Sequence, residues 1–160
     1  MAVKGYDILI SDVNKMLGME RAMIAATNTV MVAQKKRIFE NGNDASGSKI
    51  GTYSTKKMYM SKSRQAKNTG KTKFEGGYRE YKSLTGKESS FVNLWDTGQM
   101  RMDLGTTVIS RSEYGIGFSN DFNADKAEWN EERFDKEIFI TSDEEDELFV
   151  KVIEFELDKI

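Results

Sequence analysis

The chain has no cysteine, no histidine and no proline in its 160 residues. Without cysteine there is no disulfide framework and no thiolate metal site. Without histidine the usual neutral-pH base and the commonest transition-metal ligand are missing, so serine–histidine and cysteine–histidine catalysis are excluded. No run of 18 apolar residues occurs, which argues against a membrane span. The opening "MAVKGYDILISDVNKML" lacks both a long apolar stretch and a small-residue cleavage site, so no signal peptide is expected. These absences together predict a reducing, soluble setting.

Charged residues, by contrast, reach 31% against an apolar fraction of 38%, so part of the chain is expected to lie outside any core. The length fits one domain. The formal net charge of −2 hides a segregation. From Gln34 to Lys87 there are fourteen Lys/Arg against four Asp/Glu, and from Asp121 to Ile160 there are five against fifteen. Such a dipolar chain invites internal pairing or head-to-tail contact between copies.

Residues 6–17 read as a helix or as a short strand at "DILI", with the helix favoured. Over Met19–Glu40, Met23, Ala26, Val30, Ala33, Arg37 and Ile38 recur at three- and four-residue steps, and Asn41-Gly42 supplies a stop. Residues 43–75 are dominated by Gly, Ser, Thr, Asn and Lys and read as a flexible basic loop or arm, solvated or docked. A brief helical turn over 76–87 is expected to return the chain to the core through Tyr78, Tyr81 and Leu84. Then "GTTVISRSEYGIGFSN" reads as a hairpin turning at Arg111-Ser112-Glu113, 123–134 as a helix, and "KEIFIT" (136–141) as a strand or extended segment. Ser142 with Glu145 three residues on is a capping-box pattern, and Leu148, Val152, Ile153, Phe155 and Leu157 form the stripe of a last helix.

Motifs for chemistry are weak. "TGKT" at 69–72 lacks the first glycine of a phosphate-binding loop, Gln65 standing in its place, and lacks the flanking strand and helix. The acidic run 143–147 lacks the spacing and glycine of a calcium loop and suits a helix start. The glycines of "GIGF" (115–118) belong in a strand that another backbone approaches closely. No carboxylate pair stands out as a hydrolytic dyad. The basic segment is the exception. Lys56, Lys57, Lys62, Arg64, Lys67, Lys71 and Lys73, interleaved with Tyr53, Tyr59 and Phe74, suit a nucleic-acid backbone, a solvated arm, or an arm docking on an acidic neighbour.

A helix ending "RIFENG", a variable basic loop, "YREYKSLTGK" and then "VNLWDTGQMRMDL" follow one another in an order that resembles the phage virion-morphogenesis or tail-completion proteins. The family's hydrophobic–x–x–Thr-Gly–x–hydrophobic corner is matched by Leu94, Thr97, Gly98 and Met100, its Gly-Phe by Gly117 and Phe118, and its acidic-started final helix by Phe139, Ile140, Ser142, Asp143 and Glu144. The sequence departs from it in having no proline before the last helix and in carrying Asp103 after the corner.

The fold expected is α+β: a small antiparallel sheet packed by the 20–40 helix and the C-terminal helix. The resemblance implies a structural ring in the neck or tail of a virion, assembled in the host cytoplasm, for head–tail joining or tail completion. Its partners would be further copies, adjacent neck or tail proteins and DNA passing through the ring, with no cofactor, metal, catalysis or membrane. Leu94, Trp95, Thr97, Gly98, Met100 and Arg101 at the corner, with Glu144, Glu145 and Glu147 as exposed acids, are the expected subunit contacts. The alternative is a nucleic-acid-binding protein using residues 49–87.

Overall fold

The computed structural model describes residues 4–61, 69–110 and 112–159, with side chains from Lys15 onward. Lys62, Arg64 and Lys67 of the basic segment, and Arg111 of the hairpin turn, lie outside the described residues. The fold is α+β. In chain order come α1 (Lys4–Lys35), a π-helical turn (Lys36–Glu40), β1 (Met58–Tyr59), β2 (Lys73–Phe74), α2 (Gly77–Leu84), α3 (Gln99–Asp103), β3 (Leu104–Ser110), β4 (Glu113–Phe118), α4 (Asp121–Phe134) and α5 (Asp143–Leu157). The strands pair antiparallel as two separate ribbons, β1 with β2 and β3 with β4. Helix α5 packs along α1, and the β3–β4 ribbon lies against α1 as well.

The first helix is one rod of 32 residues, not two pieces. It runs through Gly18, which costs only about 1 kcal/mol against alanine and does not end a helix without a break in the pattern beyond it. It ends where Asn41-Gly42 says it should, with Gly42 at φ 63°. The last turn, however, is widened: Asn41 N–H donates to the Lys36 carbonyl at 3.0 Å, a five-residue step. Three consecutive residues of this widened turn, Arg37, Ile38 and Phe39, are buried together.

Ile38 and Phe39 enter a core completed by Ile50, Val92, Met100, Leu104, Ala127 and Ile138. Phe139 stacks edge-on to Phe118 and lies 6.5 Å from Phe39, joining hairpin, loop and α1. A second cluster, Phe74–Tyr81–Tyr78–Tyr53, packs the β1–β2 ribbon and α2 together. Segment 43–75 is therefore tied down at both ends: Ile50 and Phe74 are fully buried, and Asp44 accepts the N–H groups of Ser46 and Ser48 at 3.0 and 2.9 Å. In α2, Tyr81 is buried and Tyr78 half-buried as expected, whereas Leu84 is exposed.

The segment 136–141 forms no strand, because side chains take the bonds a strand partner would. Glu131 Oε1 accepts from the N–H groups of Ile138 and Phe139 at 2.7 and 2.8 Å. Arg37 and Gln34 donate to the carbonyls of Ile138, Phe139 and Ile140. This loop delivers the chain to Ser142, whose hydroxyl and Glu145 complete the capping box of α5. The α5 stripe is only half-buried, and Phe155 is 62% exposed. Among the described residues no helix is long and apolar enough to cross a membrane.

Candidate functional site

The corner at 93–103 is built from polar scaffolding around exposed apolar groups. Asn93 is buried, and its Oδ1 accepts from the Tyr53 hydroxyl at 3.0 Å and from Trp95 N–H at 3.2 Å. Leu94 takes φ 51°, a conformation L-residues pay for, while its side chain packs on the core. Lys82 reaches from α2 with its ammonium against the Trp95 carbonyl and 5.0 Å from the centre of the Tyr53 ring. Burial pushes its pKa down to about 8, with the Asp96 carboxylate opposing the shift. Lys87 pairs with Asp96 one residue further on.

Gly98 then turns the chain. It sits at φ 81° as the residue before α3, and a Cβ there would meet Trp95 Nε1 at 3.3 Å. The expected turn into the sheet is present, with a five-residue helix inserted between glycine and strand. That helix places Met100 in the core and leaves Trp95 and Met102 exposed, at 38% and 75%. Thr97 is exposed, and its hydroxyl accepts loosely from Gln99 N–H at 3.4 Å. Arg101 lies 4.8 Å from the Trp95 ring and bonds Glu40 at 2.8 Å, tying corner to helix end. Asp103 holds the far side. It accepts from the Ser119 hydroxyl, Asn120 N–H and the Asn123 amide, and the Ser119 bond foremost keeps its carboxyl below the usual range. The residue that departs from the resembled pattern thus bonds α3 to the start of α4.

The charged calls divide. Lys56 and Lys57 are exposed, Lys57 standing 5.5 Å from the Tyr59 ring. Lys71 pairs with Glu80 at 2.7 Å and Lys73 with Glu75, so part of the positive segment is answered within its own neighbourhood. Glu144 and Glu147 are exposed, and Glu147 lies 3.4 Å from Lys151. Glu145 is a correction: it is buried and paired with Arg37, not a surface contact. Arg37, on the periodic stripe of the helix, donates to Glu145, Asn43, Ile138 and Ile140.

Sequence reading passed over Lys82, Gln34 and Tyr114 as site residues, and it noted Asp103 only as a departure from the resembled pattern. Lys82 follows a tyrosine in a charged turn, and nothing local distinguishes a buried lysine from a solvated one. Gln34 and Tyr114 line a groove between α1, β4 and α5, a site made entirely by tertiary contact. Among the described residues no group of three or more acidic residues is placed to hold a metal ion. Compared with family models, with curated proteins and with solved structures, the chain matches none.

Proposed function

We propose that this protein is a structural subunit of a ring in the neck or tail of a tailed bacteriophage, acting in head–tail joining or tail completion. The reading rests on the order of sequence features and has no catalytic step and no cofactor. One structural observation supports it most. Large apolar side chains stand exposed on three elements that pack together: Met16, Leu17 and Val32 on α1, Val108 and Ile109 on β3, and Val150 and Phe155 on α5. Exposed apolar groups on packed elements are candidates for coverage by another protein surface. Copies joined head to tail form a ring when the rotation between them closes, and the segregation of positive and negative segments suits head-to-tail contact.

A second reading, binding of nucleic acid, has one observation in its favour: Tyr59 is 70% exposed beside Lys57, the pairing of ring and cation that a single strand stacks upon. Mass measurement of the purified chain at low and high salt, with and without DNA, separates the two. A ring subunit gives a discrete oligomer without DNA. Salt-sensitive DNA binding by a persistent monomer would favour the second reading.

A further inference from the structure

Gln34 is 1% exposed, and its Nε2 donates to the carbonyls of Phe139 at 2.6 Å and Ile140 at 3.3 Å. Only the NH₂ end of an amide can face two carbonyls, so the orientation is fixed and Oε1 points away from them. That Oε1 is buried without a partner. Gln34 lines a groove of about 510 Å³ between α1, β4, the 139–141 loop and α5, in the size range of ligand clefts. Tyr114 and Asp146 line the same groove, and the Tyr114 hydroxyl is also buried and unpaired. The rest of the lining includes Val30, Ile116 and Phe149.

We propose that this groove receives a lysine side chain from the basic segment, residues 49–87, of a second copy of the chain. The donor–acceptor inventory selects the class. Gln34 Oε1 and the Asp146 carboxylate only accept, and a tyrosine hydroxyl can accept as well. Their complement is a group that only donates, carried on an apolar stem that covers Ile116, Phe149 and Val30. An ammonium on four methylenes is that group. Segment 49–87 carries eleven cationic residues, nine of them lysine, and Lys56 and Lys57 are exposed. The groove itself belongs partly to the acidic segment, which supplies the charge complement. Among the described residues Asp146 pairs with no cation of its own copy. The inference rests on the ring reading and names one of its contacts.

The test uses the full chain, as a mixture of unlabelled and nitrogen-15-labelled copies treated with a carbodiimide. The reagent joins a carboxylate to an amine in contact with it, and the water lost is taken up by the carbodiimide as its urea. Mass spectrometry is expected to find Asp146 joined to a lysine of 49–87 in mixed-isotope pairs. In sedimentation, Tyr114→Phe and Asp146→Asn should each weaken association at least several-fold, with an unchanged or higher Tm for Tyr114→Phe. Wild-type association in both variants, or Asp146 linked only within single copies, overturns the groove contact while leaving the ring intact. A wild-type chain that stays monomeric at every concentration overturns both.

Discussion

Arg37 and Glu145, 108 positions apart, meet in a buried two-point ion pair, Nε to Oε1 at 2.8 Å and Nη2 to Oε2 at 3.2 Å. The remaining guanidinium hydrogens go to the carbonyls of Asn43, Ile138 and Ile140, so one side chain fastens the end of α1, the loop before α5 and the first turn of α5. Glu145 also accepts from Ser142 N–H at 3.0 Å, and the pair is thereby continuous with the helix cap.

Glu145→Ala should therefore destabilise the fold by about 3–5 kcal/mol, because it leaves the Arg37 charge buried and unanswered. Urea unfolding measures this. The exposed neighbour Glu144→Ala, by contrast, should change stability by no more than about 0.5 kcal/mol.

Gly98→Val should lower Tm and cost at least about 1 kcal/mol, since a β-branched residue is forced to positive φ beside the Trp95 indole. Thr97→Ala, one position away and exposed, should leave Tm nearly unchanged. Equal melting of both variants and the wild type would remove the corner from the list of constrained positions.

The Lys82 ammonium gives the fold a pH dependence of definite sign. Its pKa in the folded chain is about 8, against 10.5 for the free group. Between those values the unfolded state holds more protons than the folded one, so stability rises with pH from about 8 upward. By pH 10 the gain should be on the order of 2 kcal/mol. Above about pH 10 the raised pKa values of Tyr53 and Tyr78, both shifted chiefly by burial, work in the opposite direction. Chemical denaturation across pH 7–10 should show the rise in the wild type and its loss in Lys82→Met.

Ile50→Ala should cost about 2–5 kcal/mol and Phe74→Ala about 3–5 kcal/mol, the range for emptying filled core positions. A wholly solvated arm over 43–75 would make both nearly silent. The same unfolding assay decides.

Sequence periodicity was sufficient for most of the helices, though not for the short α3 or for the continuity of α1 through Gly18. The stripe on α1, the Asn41-Gly42 stop, the Ser142–Glu145 box and the alternation around Tyr114, Ile116 and Phe118 are local signals, and each produced the element it announced. The corner glycine was legible for the same reason: a tight turn demands a residue free at positive φ. The α+β class follows from those elements and was readable before any contact was known.

What tertiary structure alone decided is where the polar groups go. "KEIFIT" has the composition of a strand, yet its backbone is bonded by Glu131, Arg37 and Gln34, the last two more than a hundred positions away along the sequence. Glu145 stands in a run of five acids, and its capping-box position announces the helix cap but not its burial against Arg37. Lys82, Gln34 and Tyr114 acquire their character from burial among partners on other elements. Apolar periodicity is a property of neighbours along the chain, and a sequence displays it. The pairing and desolvation of a charge depend on which distant groups packing brings near, and only the folded chain fixes them.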